Sequence, residues 1–151
     1  MSTKPIHLTV ATIVEKEGKF LFVEENVGGA LVINQPAGHV ENGESITAAA
    51  IRETFEETGW QVEPTSLISF YRWTNPVHGE SYFRASFAAN ALEHNAEHVL
   101  DSGILRTLWL SFDELQSQAE RTRSPLVIRC VQDYLNNISF PLDILVDIPT
   151  R

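Results

Sequence analysis

The chain has 151 residues, with 20 acidic and 11 basic side chains and a net charge of −9. This acidic balance disfavours binding of a nucleic acid polymer, which needs clustered Lys and Arg, and no apolar run is long enough for a membrane span or a signal peptide. Its length and its one cysteine, Cys130, predict a single cytoplasmic domain over residues 1–151 without a disulfide, either a monomer or a homodimer.

The first part of the chain predicts a β-hairpin, a loop and a third strand. Residues 6–14 and 19–25 alternate between polar and apolar side chains, and Glu17-Gly18 between them has the composition of a turn. A glycine-containing loop over 26–30 and a strand over 31–35 complete this part.

A helix is predicted over residues 46–58. Gly43 and Ser45 are suitable entry residues, and Gly59 is suited to the position after the last turn. A helical wheel places Ala48, Ile51 and Phe55 on the expected core side, and Glu53, Glu56 and Glu57 on the other side with Ala49 and Ala50 beside them.

The rest of the chain predicts further strands and then two helices. Extended segments are predicted over 61–65, 67–74, 82–91 and 104–110, with Pro64 ending the first and loops over 75–80 and 93–103. Ser111 is expected to cap a helix over 112–119, Ser124-Pro125 to open a helix to about residue 137, and the apolar segment 141–151 to pack on the domain or on a partner chain. This mixture predicts an α/β (α+β) fold with a mixed sheet.

Three carboxylates on one helix face indicate a cation site. Glu53, Glu56 and Glu57 are spaced so that their side chains lie within about 5–6 Å of one another. Like charges at this spacing repel, so a bound cation explains the cluster, although spacing alone also describes an ordinary acidic surface. An all-oxygen site favours Mg²⁺, with Mn²⁺ as the second choice.

The spacing of residues around these acids decides between the two interpretations. Gly38, five residues, Glu44, seven residues, Arg52-Glu53, two residues, Glu56-Glu57, one residue and Gly59 together resemble the signature of the Nudix hydrolases. Thr54 and Trp60 replace the bulky aliphatic residues that this family prefers, and Pro36-Ala37-Gly38 replaces a common Pro-Gly-Gly. These departures concern packing and loop shape, since every charged position of the signature is present.

The resemblance implies an α/β/α sandwich with a mixed sheet, and hydrolysis of phosphoanhydrides by water attack on phosphorus with a divalent metal. Carried onto this chain, it makes Glu53 and Glu57 metal ligands, Glu56 a ligand directly or through water, and the Gly38 carbonyl a further ligand. Glu53 is the first choice for the base that activates water.

Arg52 carries the remaining charge of the motif helix. Its planar guanidinium could hold Glu44 or a neighbouring glutamate in place, and with the three helix glutamates these residues form the predicted catalytic set.

Candidate substrate-binding residues outside the acidic cluster are His39, Arg72, Trp73, Tyr82, Arg84 and Asp101. The arginines and His39 could contact phosphate, and the two aromatic residues could stack on a base or lie in the core. Asp101 or Glu97 could supply the further carboxylate that some family members take from a late loop. His94 and His98 have the spacing of a zinc pair, but no further ligands are grouped nearby, and Cys130 is expected to be a buried thiol.

Segments outside the motif are similar to one phosphatase branch of the family, which implies action on nucleoside tri- and diphosphates and on the pyrophosphate of hydroxymethylpyrimidine. They are residues 34–41, Arg72-Trp73, 124–127 and Phe140-Pro141-Leu142. Two alternatives remain at this point. One is another Nudix enzyme, which acts on oxidised nucleotides or nucleotide sugars, and the other is a non-catalytic Nudix domain that senses a ligand.

Overall fold

The computed structural model describes residues 4–150. The strands are β1 (Ile6–Lys16), β2 (Lys19–Val27), β3 (Ala30–Asn34), β4 (Ala37–His39), β5 (Trp60–Thr74), β6 (Ser81–His94) and β7 (Ile104–Leu110). The α-helices are α1 (Ile46–Thr58), α2 (Phe112–Ser117) and α3 (Leu126–Leu135), and short 3-10 turns cover Ala119–Arg121 and Leu142–Ile144. The predicted hairpin and the predicted bounds of α1 are confirmed. No helix in residues 4–150 is long and apolar enough to span a membrane.

The seven strands form one mixed sheet with a partial split. β1 runs parallel to β6 and antiparallel to β4, and β5 pairs antiparallel with β6. β2 pairs with β3 on one side and β7 on the other. It pairs with β1 only at the hairpin end, where Glu15 lies opposite Phe20 and Lys16 opposite Lys19. The two halves of the sheet therefore diverge beyond the hairpin and leave space between them.

Helices cover both faces of the sheet. Alternate residues of a strand point to opposite faces, so Val10 and Ile13 of β1 belong to different layers. Val10 packs with Ala49 and Ala50 of α1, whereas Ile13 packs in the cluster that α3 covers. This is the predicted α/β/α arrangement.

The predicted core face of α1 is wrong. Ala48 is exposed and Ile51 and Phe55 are only half-buried, whereas Ala49 and Ala50 are fully buried against the sheet. Two adjacent alanines let the helix backbone approach the sheet closely, and this contact rather than the largest side chains sets the rotation of the helix.

Thr54 strengthens the same contact with a polar bond. Its side chain is fully buried, and its Oγ1 lies 2.8 Å from Oγ1 of Thr12 on β1. A hydroxyl thus occupies the motif position where the family prefers an aliphatic group, and its hydrogen bonds offset the cost of burial.

Several element ends also differ from the predictions. Pro64 does not end an extended segment, since β5 is continuous, and a register shift between Pro64 and Ser66 accommodates the missing N–H. β6 continues to His94, and the short edge strand β4 was not predicted. In the C-terminal segment, Leu142 and Leu145 pack against the α1 side of the core.

Candidate active site

A cavity of about 400 Å³ opens where the two halves of the sheet diverge. Glu25 and Asn34 line it from the β2–β3 side, and Thr9, Gly38 and Arg84 line it from the β4–β1–β6 side. Its other walls come from α1, from the aromatic residues of β5 and β6, and from the N-terminus of α3. A small, partly enclosed site of this size suits a small-molecule ligand.

Helix α1 places Glu53 and Glu57 at the wall of this cavity, and both of its ends are capped. The Ser45 side chain accepts a hydrogen bond from the Ala48 N–H at 3.0 Å, and Gly59 ends the helix at φ +76°. Carboxylate oxygens of Glu53 and Glu56 lie within 4.8 Å of each other and of one from Asp101.

The loop that carries Asp101 is attached to the last turn of α1. The Asp101 N–H donates to the Glu56 carbonyl at 3.1 Å, and Nε2 of His98 lies 3.0 Å from the same oxygen. These bonds hold Asp101 beside the helix, although 42 residues separate His98 from Glu56 in sequence.

Glu57 is not in the group formed by Glu53, Glu56 and Asp101, and it is the most buried carboxylate of α1. Its side chain is only 9% exposed, and it accepts a hydrogen bond from the Ala37 N–H of edge strand β4 at 2.9 Å. The pKa of Glu57 is raised to about 8, mainly by burial. The Ala37 hydrogen bond lowers this pKa, whereas the nearby carboxylates of Glu25, Glu53 and Asp101 raise it. The described residues provide no basic side chain within ion-pair distance of it.

Arg52 organises the outer part of the acidic cluster. Its Nε and Nη2 donate to the two carboxylate oxygens of Glu44 at 2.7 and 2.9 Å, and its Nη1 donates to Glu53 at 2.8 Å and Glu56 at 3.2 Å. The Arg52 hydrogen bonds hold the pKa of Glu44 below its usual range, whereas burial raises the pKa of Glu53 despite the same arginine. One guanidinium shared by three carboxylates leaves the cluster negatively charged.

Gly38 allows the backbone of β4 to touch this cluster. A Cβ at this position would lie 2.1 Å from Cδ of Glu53, so no other residue fits without displacing that carboxylate. An all-oxygen donor set, a buried acid without a basic partner and a close backbone approach together fit a hard divalent cation.

The substrate-side candidates lie on the neighbouring strands. Arg84 of β6 is 5% exposed and donates to the side-chain oxygens of Gln35 at 2.9 Å and Asn34 at 3.1 Å. Trp73 and Tyr82 both line the cavity, with ring centroids 6.0 Å apart.

Two histidines cover the outer edge of this aromatic wall. His7 stacks on Tyr82 with centroids 4.5 Å apart, so one face of that ring is already covered. His39 also lines the cavity, and its Nε2 lies 2.9 Å from Nδ1 of His7. Burial lowers the pKa of His39, and the neighbouring His7 lowers it further, so the imidazole is held neutral near pH 7.

Comparison with known proteins matches this chain to one family. The model of the NUDIX domain family matches residues 5–130. The chain belongs to the Nudix hydrolase family. It is therefore a hydrolase that acts on phosphoanhydride bonds.

Individual relatives cover nearly the full chain. Phosphatase NudJ from Escherichia coli strain K12 is 38% identical over 141 residues, which are 93% of this chain and 91% of that protein. A NUDIX hydrolase from Nitrosomonas europaea is 41% identical and superposes with a TM-score of 0.93, over 95% of this chain and 98% of the other. The MutT NUDIX hydrolase from Burkholderia pseudomallei, at 18% identity, shares the fold with a TM-score of 0.74 over 86% of this chain and 98% of its own.

Some candidate residues of this Nudix hydrolase lie away from the cavity. Arg72 is exposed on β5, where its Nη1 donates to Oγ1 of Thr74 at 3.4 Å. Glu97 is exposed and is not in the group formed by Glu53, Glu56 and Asp101. The rings of His94 and His98 pack on Trp60 and Phe55, respectively.

The cavity residues of this Nudix hydrolase that were not predicted from the sequence include Glu25, Asn34, Arg123 and Ser124. Asn34 carried a usable signal, because it is the polar last residue of an otherwise apolar strand, whereas Glu25 lies in a run of polar residues in β2. Arg123 and Ser124 reach the cavity through the docking of α3, which local sequence does not reveal.

Proposed function

We propose that this protein is a Mg²⁺-dependent Nudix phosphohydrolase that cleaves nucleoside tri- and diphosphates and related small pyrophosphates, with residues 1–151 acting as one domain. Its similarity to phosphatase NudJ adds hydroxymethylpyrimidine pyrophosphate to the proposed substrates. The observation that supports the proposal most is that Glu53, which meets Glu56 and Asp101, and buried Glu57 line the same cavity as Arg84.

The acidic cluster is proposed to hold the metal. Glu53, Glu56, Glu57 and the Gly38 carbonyl would be its ligands, and Mn²⁺ should replace Mg²⁺ because the same oxygen donors suit both ions. When bound, the metal neutralises phosphate charge and makes water more acidic. Asp101 was predicted both as a substrate-side residue and as a further carboxylate from a late loop. It lies beside Glu53 and Glu56 and extends this donor set.

Glu53 is proposed to accept the proton of the attacking water. Arg52 donates to its Oε1, which fixes the side chain and leaves Oε2 free to accept. The raised pKa of Glu53 increases its affinity for a proton, which suits a general base. Arg52 and Glu44 act by orienting this carboxylate, since Glu44 binds the same guanidinium through two hydrogen bonds.

The opposite part of the cavity is proposed to bind the substrate. Arg84 contacts a phosphate group, Trp73 and Tyr82 pack against the base, and His39 lies at the cavity rim beside the cluster. The cavity is sized for a small phosphorylated molecule rather than a polymer. The buried, unpaired thiol of Cys130 agrees with action in the cytoplasm.

The test is a panel of nucleotides, nucleotide sugars and small pyrophosphates, assayed with Mg²⁺, with Mn²⁺ and with EDTA. We expect turnover only with metal, release of phosphate, and an inactive Glu57→Gln variant. Glu63→Gln, which changes an exposed glutamate of β5, is the matched control and should be fully active.

Other outcomes separate the alternatives. Release of pyrophosphate from triphosphates would favour a different Nudix enzyme, such as one that removes oxidised nucleotides. Tight binding of several compounds without turnover of any would favour a ligand sensor.

A further inference from the structure

The buried guanidinium of Arg84 is held by two neutral amides. Its Nη1 donates to Oε1 of Gln35 at 2.9 Å and its Nη2 to Oδ1 of Asn34 at 3.1 Å. No carboxylate among the described residues forms an ion pair with it, although the side chain is only 5% exposed. A buried arginine is usually paired with an acid, so this arrangement needs an explanation.

Gln35 can present only its oxygen to Arg84. It is fully buried, and its Nε2 donates to the Val127 carbonyl in the first turn of α3 at 2.7 Å. Because a carbonyl fixes the amide nitrogen, the amide oxygen is left facing the guanidinium. Gln35 does not itself line the cavity, so any influence on a ligand passes through Arg84.

The charge of Arg84 is therefore available to a ligand. A guanidinium has five N–H groups, of which protein acceptors take two here, and Nε has no acceptor among the described residues. Burying a cation without a counter-charge is unfavourable, and an anionic ligand removes that penalty whereas a neutral carbonyl does not.

Strand register separates Arg84 from the acidic cluster. Thr9 of β1 pairs with Arg84 on one side and with His39 of β4 on the other. Two strand spacings put the backbones of Arg84 and His39 roughly 10 Å apart. The guanidinium and the carboxylates of Glu53 and Glu57 therefore line one cavity at separate positions.

We propose that Arg84 binds the phosphate group that lies away from the acidic cluster, and that Gln35 is a positioning residue whose neutrality leaves Arg84 uncompensated. This inference rests on the proposed function, because it assumes a phosphoanhydride in the cavity. A carboxylate in place of either amide would pair with the guanidinium and compete with the substrate phosphate.

The test measures binding of inorganic imidodiphosphate, a non-hydrolysable pyrophosphate, in the presence of Mg²⁺ by calorimetry. Gln35→Glu and Arg84→Met should each weaken binding by about 10- to 100-fold, as expected for hydrogen bonds to a charged group. Gln35→Met removes the same acceptor but adds no charge, so it should weaken binding less than Gln35→Glu. Mg²⁺ binding measured without imidodiphosphate should be unchanged in all three.

Two controls carry the same chemical changes outside the cavity. Gln61→Glu adds a carboxylate at an exposed position of β5, and Arg129→Met removes an exposed arginine of α3. Both should bind imidodiphosphate as the wild type does. If Gln35→Glu fails to fold, Asn34→Asp places a carboxylate at the other Nη of Arg84 and should give the same loss.

The outcomes that overturn the inference are distinct from failure of the proposed function. Wild-type affinity in folded Gln35→Glu, or a larger loss in Gln35→Met than in Gln35→Glu, would show that Gln35 acts only through packing. A wild-type protein that binds Mg²⁺ but not imidodiphosphate would overturn the inference alone. A protein that binds neither would overturn the proposed function, and the inference with it.

Discussion

Glu57→Gln should make the metal-free protein more stable while it abolishes activity. The substitution preserves the size of the side chain and an oxygen that can accept the 2.9 Å hydrogen bond from the Ala37 N–H. It removes only the ability to ionise. Any change in behaviour can therefore be attributed to the buried negative charge.

The magnitude follows from the pKa of Glu57, which burial raises from 4.5 to about 8. Between these values the folded state binds more protons than the unfolded state, so stability of the metal-free protein falls as the pH rises through this range. Fully ionising the buried carboxylate costs on the order of 5 kcal/mol, less whatever structural relaxation recovers. Glu57→Gln lacks this cost, so its advantage over the wild type should be absent near pH 4 and greatest above pH 8.

The assay is urea unfolding in EDTA at about pH 5, 7 and 9, where the linkage relation predicts a growing difference between the two proteins. Turnover is measured in parallel with Mg²⁺, and Glu57→Gln should lose at least about 100-fold because a metal ligand contributes several kcal/mol. Glu63→Gln serves as control in both. A buried charge on Glu57 is ruled out if the stability of Glu57→Gln falls with rising pH as much as that of the wild type. A role as metal ligand is ruled out if Glu57→Gln retains full metal-dependent activity.

Three further predictions concern the same cluster. Mg²⁺ should raise the melting temperature of the wild type more at about pH 8 than at about pH 6, since binding requires ionised carboxylates; an equal shift at both would contradict a role for Glu57. Gly38→Ala puts a methyl group 2.1 Å from Cδ of Glu53, so the flexible carboxylate must move. We expect about tenfold lower activity with little loss of stability. Combining Gly38→Ala with Glu53→Gln should cause no loss of activity beyond that of Glu53→Gln alone. Arg52→Lys keeps the charge but cannot bind Glu44 through two hydrogen bonds, so kcat should fall about tenfold; unchanged kcat would show that only the charge matters.

The parts of the site that the sequence predicted are those fixed by local geometry. Helix α1 begins and ends where its cap residues indicated, and the Arg52–Glu44 contact spans only eight residues. Helical spacing alone brought Glu53 and Glu56 together. Asp101 was a candidate among loop residues, but its position depends on two bonds to the Glu56 carbonyl that no local pattern encodes.

The core face of α1 was predicted wrongly because close approach of the helix backbone to the sheet, rather than side-chain hydrophobicity, decides which of its residues are buried. A wheel ranked by hydrophobicity favours Ile51 and Phe55, yet the fully buried residues of α1 are small or hydroxylated. Ala49 and Ala50 permit a contact that larger residues would prevent, and Thr54 satisfies its hydroxyl through Thr12 and the Ala50 carbonyl. Distances between elements decide such contacts, and a single sequence does not contain them.

The same close packing explains why the acidic helix can act on a ligand at the other face of the sheet. Arg84 and Thr9 lie on the α3 side of the sheet, whereas α1 packs on the opposite side. Only a short edge strand, β4, separates them, and Glu57 binds its outward N–H at Ala37. A helix held further from the sheet by bulky side chains could not reach that N–H. Ala49 and Ala50, which the helical wheel did not place in the core, therefore bring Glu53 and Glu57 to the cavity.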